Sequence, residues 1–319
     1  MYFDPDVVRF FAQVQQSGQP PMEQLPLPAA RATFSALGAQ FGFPPLEMAE
    51  VRTAQAPGPR GPVPLRLYRP IGMESLPAPT CVYVHGGGGV LGDLDSHDDV
   101  CRHLAARAGC QLLAVDYRLA PEHPAPAGIE DVIAVVQWLA ANPAEVGADP
   151  QRLAIAGDSI GGAMAASAAL AARDAGISLR CQVLMYPLTD ARPDNPFPSR
   201  VHNAVIPPLT EAAMRFFDSQ LLPDPAVTTD WRISPALAAD VAGAAPALVI
   251  LADRDALYDE GLHYAQRLRQ AGVEVTMRVY PGMIHGFINM GAVLRAAGET
   301  MDLAALQLRQ RLLPVAAQG

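Results

Sequence analysis

The sequence predicts an α/β fold in which a mostly parallel central sheet is flanked by helices and roofed by a helical cap. Three observations carry that expectation. Short β-rich runs recur after Glu50 with helical patterns between them. The runs are nearly continuously apolar instead of alternating, as strands covered on both faces must be. Two stretches, residues 1–50 and 189–240, stand outside the alternation and are assigned to the cap; residues 51–188 and 241–319 are assigned to the main domain.

Taken in order, the first fifty residues hold two helix-like stretches, Val7 to Gln16 and Ala29 to Phe41, separated by the Pro-rich piece GQPPMEQLPLP. Strands are expected at VPLRLYRP (63–70), TCVYVH (80–85), QLLAVDYR (111–118), RLAIAG (152–157), RCQVLMYP (180–187), PALVILAD (246–253) and EVTMRVYP (274–281). Helices are expected at His97–Ala108, Gly128–Ala141, Gly162–Ala175, Glu260–Ala271 and Leu294–Leu313. The Pro-rich segment between Pro187 and Pro246 is too long for a structureless loop, so it should carry helices of its own, one near Thr210–Leu221.

A chain of 319 residues, half of them hydrophobic, can bury one large core with a modest accessory layer. Its net charge of −9 and lack of a basic stripe argue against nucleic acid as a partner. All 23 basic residues other than histidine are Arg, which excludes Schiff-base and Ser-Lys chemistry. No stretch reaches the roughly 20 apolar residues of a membrane span, and the acidic start MYFDPDVVRFF does not resemble a signal peptide. A cytoplasmic protein is expected, with a homodimer left open. Cys81, Cys101, Cys110 and Cys181 lie far apart without metal-ligand spacing and read as buried free thiols, so no metal and no cofactor are implied.

The stretch Gly157-Asp158-Ser159-Ile160-Gly161-Gly162 follows an expected strand and opens an expected Ala-rich helix. A sharp strand-to-helix turn lifts its central residue out of the sheet, and flanking glycines give the room that turn needs. Ser159 is therefore the candidate nucleophile. The Ile160 N–H is left at a helix N-terminus, where unpaired donors favour negative charge. His85-Gly86-Gly87-Gly88-Gly89 ends another strand, and glycine backbone can approach a developing oxyanion closely. Loss of such a donor typically costs about 10²–10³ in rate. A phosphate loop is disfavoured because neither GxxxxGK[ST] nor any Lys is present.

Serine-based acyl transfer also needs a general base and a group that fixes its tautomer. In the α/β-hydrolase arrangement these follow the Ser in the order acid, His. The strand PALVILA leads into Asp253-Arg254-Asp255 and EVTMRVYP leads into Gly282-Met283-Ile284-His285, both at strand C-terminal ends where parallel sheets place their sites. His285 is the candidate base and Asp255 the preferred acid, with Asp253, Asp259 and Glu260 as alternatives whose other role would be capping.

Together these residues resemble the bacterial hormone-sensitive-lipase-like (family IV) esterases of the α/β-hydrolase fold. The resemblance spans HGGG at His85–Gly88, DYRLAPEHP at Asp116–Pro124, GDSxGG at Gly157–Gly162, YPLTD at Tyr186–Asp190, ISPALA at Ile233–Ala238 and HGF at His285–Phe287. It implies hydrolysis of a small-molecule ester, with the Gly87, Gly88 and Ile160 amides as oxyanion donors, and an apolar cap over a polar centre suits small to medium acyl chains. It also implies a structural network of Asp116, Arg118 and Glu122 beneath the glycine loop. Three positions depart from the family pattern: Gly89 where a large residue is common, Ile160 in place of Ala, and Ala256 in place of Pro. Gly89 is expected to leave an open pocket beside the oxyanion loop unless a cap side chain such as Phe216 or Phe41 fills it; Gly89 and Phe216 are thus the expected substrate-binding residues. Ala256 could make the acid loop looser. Competing readings are a hydrolase of another acyl compound (amide, carbamate or lactone), and a non-catalytic small-ligand-binding protein like the plant gibberellin receptors. The receptors expect the His to be lost, whereas His285 stands beside Ser159 and Asp255.

Overall fold

The computed structural model describes residues 2–73 and 76–313. Eight strands form one sheet in the order β1-β2-β4-β3-β5-β6-β7-β8. They are β1 Glu50–Gly58, β2 Gly61–Arg69, β3 Ala78–Val84, β4 Gln111–Val115, β5 Ala148–Asp158, β6 Leu179–Met185, β7 Ala247–Ala252 and β8 Val275–Tyr280. Only β1 and β2 run antiparallel to their neighbours; β3 to β8 are parallel. The central strands β3, β4 and β7 are buried at every residue, which is why their sequences show no alternation.

One strand escaped the sequence reading. β1 pairs with β2 through a hairpin closed by Gly58 and Gly61. It lies at the sheet edge and is mostly half-exposed or exposed, so EVRTAQAPG carries no apolar run to announce it.

The helices are α1 Pro5–Ser17, α2 Leu27–Phe41, α3 Asp98–Ala108, α4 Ala127–Ala141, α5 Ile160–Asp174, α6 Ser199–His202, α7 Glu211–Leu221, α8 Tyr258–Gln270 and α9 Arg295–Leu312. On one side of the sheet, α4, α5 and α8 cover Val82, Val84, Leu113, Ile155 and Val249. On the other, α3 and α9 cover Cys81, Tyr83, Leu112, Val183 and Ile250. Adjacent residues of β3 thus serve opposite cores, the period-two consequence of a pleated strand. All four cysteines are free and lie in the second core.

The Ala-rich α5 is buried along nearly its whole length. Its small side chains let it press onto the sheet: a Cβ on Gly161 would collide with the backbone oxygens of Val84 and His85. That close approach fixes where the helix begins, and so where Ser159 stands. The expected helix between Pro187 and Pro246 is α7, started by Thr210, whose hydroxyl accepts from the Ala213 N–H at 3.2 Å. No helix among the described residues is long and apolar enough to cross a membrane.

Candidate active site

Ser159 sits between β5 and α5 with φ 57° and ψ −123°, a conformation that costs a non-glycine residue strain. The surroundings hold it there. Its N–H donates to the Met185 carbonyl at 2.9 Å, and its carbonyl accepts from Leu188 at 3.2 Å and Ala163 at 3.1 Å. A Cβ on Gly157 would run into the Gly161 carbonyl, so the turn admits only glycine there.

His285 Nε2 lies 2.9 Å from Ser159 Oγ, and its Nδ1 lies 2.6 Å from Asp255 Oδ2. Because Asp255 can only accept when ionised, Nδ1 carries the proton and Nε2 presents its lone pair to the serine hydroxyl. Asp255 is 1% exposed, while Ser159 and His285 are 9% exposed where they meet the cavity. The Tyr186 ring packs edge-on against the imidazole, with centroids 4.9 Å apart.

The other acids considered are engaged elsewhere. Asp253 Oδ1 accepts from the Gly282 N–H at 2.6 Å and Asp259 Oδ2 from the Ser199 N–H at 2.8 Å. Glu260 is fully buried against Arg200, 2.7 Å from its Nε. Burial pushes the Glu260 carboxyl up to about 7, against the opposing pull of Arg200.

Asp255 is held by residues the sequence did not single out. Its own Oδ1 accepts from the Leu257 N–H at 2.9 Å. The Asn203 side-chain amide donates to the carbonyls of both Asp255, at 2.9 Å, and Asp253, at 3.2 Å. Ser199 Oγ donates to the Ala256 carbonyl at 2.8 Å. The loosening expected from Ala256 is therefore countered, because α6 and the residue after it clamp the loop. A lone Asn and Ser in a Pro-rich segment carry no signal of such a partner.

Gly87, Gly88 and Ile160 border the cavity with Ser159 and His285. Their N–H groups donate to no protein acceptor among the described residues. Gly87 and Gly88 have φ of 111° and 65°, and a Cβ on Gly88 would strike the Phe217 ring. The preceding Gly86 N–H is anchored to Asp158 Oδ1 at 2.9 Å, which also accepts from Tyr83 Oη at 2.9 Å. Burial works against that carboxylate, yet His97, Tyr83 and His85 together hold it below the ordinary range. Asp158 thus ties the glycine loop to the end of β5 beside Ser159.

Two expectations need correction. Gly89 does not border the cavity that holds Ser159; it faces a much smaller one, and a Cβ there would meet Leu221 Cδ1 at 2.8 Å. The space vacated by a large side chain is filled by Leu221 of α7, not by Phe216 or Phe41. With φ 69° at Gly89, a side chain would also be strained. Phe216 does line the large cavity. Second, Asp116, Arg118 and Glu122 do not share one network. Arg118 Nε and Nη2 each donate to Asp131 at 2.8 Å. Glu122 instead receives both Arg31 Nη atoms at 2.8 and 2.7 Å, and Arg31 Nε donates to the Val90 carbonyl at 2.9 Å. The tie to the glycine loop comes from α2, far away in sequence.

The large cavity is about 780 Å³, within the usual range for small-molecule sites. Its roof is built by Phe10, Phe34 and Phe41 of α1 and α2 and by Met214, Phe216 and Phe217 of α7.

Residues 81–289 match the model of a family described as having the α/β hydrolase fold. An ethyl acetate hydrolase of Pseudomonas putida is 40% identical over 253 residues, covering 78% of this chain and 79% of that protein. A carboxylesterase, NlhH, of Mycobacterium tuberculosis is 41% identical over 255 residues with the same coverage. Among solved structures, an α/β hydrolase enzyme from the metagenome of Lake Arreo superposes with a TM-score of 0.91 at 39% identity, covering 97% of this chain and 98% of the other. An esterase of Pyrobaculum calidifontis gives 0.87 at 36% identity, covering 97% and 99%. On this sequence and structural likeness, the chain belongs to the hormone-sensitive-lipase-like (family IV) serine carboxylesterases of the α/β-hydrolase fold.

Proposed function

We propose that the protein hydrolyses carboxylic esters of small to medium acyl chain through an acyl-enzyme on Ser159. The observation that carries this is the unbroken chain from Asp255 through His285 to Ser159 Oγ on the floor of the cavity. In this reading Ser159 Oγ attacks the ester carbonyl as its proton passes to His285 Nε2. Asp255 keeps the other ring proton in place and stabilises the imidazolium. The Gly87, Gly88 and Ile160 amides take the oxyanion, assisted by the N-terminus of α5. Collapse expels the alcohol with the proton from His285. Water then repeats the sequence on the acyl-enzyme and releases the acid.

Esters are favoured over amides because an alkoxide leaves with less help than an amine. Residues 1–50 and 189–240 act as the cap: they supply the apolar roof, which suits uncharged chains better than highly charged ones. The names of the relatives, an ethyl acetate hydrolase and a carboxylesterase, support the same substrate class. The test is Ser159→Ala, expected to fold normally and to lose roughly 10⁴–10⁶ in kcat on short-chain esters. Hydrolysis surviving in that variant, or an organophosphonate labelling another residue, overturns the proposal.

A further inference from the structure

The wall of the cavity is mostly apolar, but three charged residues from the stretches 1–50 and 189–240 border it: Glu23, Arg200 on α6 and Asp218 on α7. Among the described lining residues Arg200 is the one arginine. It is largely withdrawn from solvent, with 14% of its side chain exposed. Burying a guanidinium is costly unless its charge is matched and its donors are used.

The charge is matched by Glu260, but the donors are only partly used. Of its five N–H groups, one on Nε goes to Glu260 Oε2 at 2.7 Å and one on Nη2 to the Asp190 carbonyl at 3.1 Å. Nη1 has only the thioether of Met214, a weak acceptor, at 3.1 Å. Met214 and Arg200 both border the cavity. If the arginine were only a strut between the cap and α8, the Glu260 and Asp190 bonds would suffice.

Asp218 presents the complementary deficit. Its carboxylate forms no ion pair within 4.0 Å and no side-chain hydrogen bond among the described residues. Burial raises its carboxyl from the ordinary value, with Arg200 pulling the other way. The cavity lining therefore offers an under-used donor and an unpaired acceptor. An anionic ligand group is disfavoured, because Asp218 would repel it. A neutral group with both an acceptor and a donor satisfies both.

We propose that Arg200 and Asp218 form a polar subsite that reads a secondary amide in the substrate. The amide carbonyl accepts from the Arg200 guanidinium and the amide N–H donates to the Asp218 carboxylate. The preferred substrates are then esters whose chain carries an amide, such as esters of N-acylated amino acids. This rests on the ester-hydrolase reading and names the substrate class for the same site.

The experiment compares kcat/KM for the ethyl esters of N-acetyl-β-alanine and N-acetyl-γ-aminobutyrate with ethyl hexanoate and ethyl heptanoate, their chain-matched hydrocarbon counterparts. The quantity read is the amide-to-hydrocarbon ratio, so that a general loss of activity cancels. For at least one chain length the ratio should fall about tenfold in Arg200→Met, the usual effect of losing a hydrogen bond to a charged group. It should fall similarly in Asp218→Leu, which leaves the Arg200–Glu260 pair intact and so guards against a folding defect. A ratio unchanged in Asp218→Leu and in Arg200→Met, or equal losses on all four esters, would overturn the subsite. If the wild type turns over none of the four esters through Ser159, the reading beneath it fails instead, which the hydrocarbon esters alone reveal.

Discussion

The nucleophile turn and the acid loop face the same problem, holding one oxygen atom at a fixed point, and solve it differently. At Ser159 the backbone does the holding. A strained residue is trapped between a strand and a buried helix, and glycines are required because neighbouring carbonyls occupy the places where Cβ atoms would go. At Asp255 the turn is unremarkable by itself and is fixed by side chains from the segment between β6 and β7, Asn203 and Ser199. Local backbone constraint makes one half of the site independent of the segment between β6 and β7. Hydrogen bonding across segments makes the other half depend on it.

The largest test of this contrast removes the acid. Asp255→Asn should reduce kcat by about 10⁴, since the His285 tautomer is no longer fixed. Asp253→Asn should cost far less, because its carboxylate serves the Gly282 amide and Arg254 and not His285. Equal losses, measured on one short-chain ester, would show that the acid loop acts as a unit and not through one carboxylate.

Gly161→Ala attacks the other half. A methyl group there meets two backbone oxygens that cannot move aside, and overpacking of this kind costs about 1–3 kcal/mol or more. The expected result is a lower urea midpoint together with lost activity. An alanine variant as stable as wild type would mean that α5 can shift, and that the turn is less constrained than its contacts suggest.

Asn203→Ala should lower kcat by about tenfold with KM little changed, the scale of one to two hydrogen bonds lost from a positioning residue. Asn203→Asp should be worse, since it turns a donor into an acceptor facing two carbonyls. If neither variant affects kcat, the acid loop holds itself and the contrast collapses.

The smallest effect is expected at the tie between α2 and the glycine loop. The Arg31 hydrogen bonds hold the Glu122 carboxyl down at about 2, against an ordinary 4.5. A carboxyl whose folded value is depressed contributes stability above its unfolded value and loses it as pH falls toward the folded one. Glu122→Gln should therefore cost at most about 1 kcal/mol at neutral pH, because the pair is well exposed to solvent, and the difference from wild type should vanish between pH 4.5 and 2. Thermal midpoints measured across that range check the sign.

What the sequence disclosed follows the same division. Ser159, its glycines and the strand-helix alternation were readable because steric necessity writes itself into neighbouring residues. His285 and Asp255 were readable because strand ends in a parallel sheet fix where such residues must lie. Asn203, Arg31 and Leu221 were not: each meets its partner across a long span of sequence, and an Asn, an Arg or a Leu carries no mark of what it will touch. Gly89 shows the hazard most plainly. A missing side chain was read as empty space, yet α7 had already brought Leu221 to fill it. The edge strand β1 was lost for the opposite reason, since an exposed edge imposes almost no pattern.

The four thiols between the sheet and the helices α3 and α9 also bear on how the protein can be followed in solution. Burial pushes Cys110 and Cys181 up to about 12 and raises Cys81 and Cys101 well above the ordinary thiol value, so the reactive thiolate is scarce in the folded state. A thiol reagent added at neutral pH can reach them only when that face opens. The pace of alkylation then becomes a clock for spontaneous opening of the core beneath α3 and α9, and it reads a part of the molecule remote from the ester chemistry.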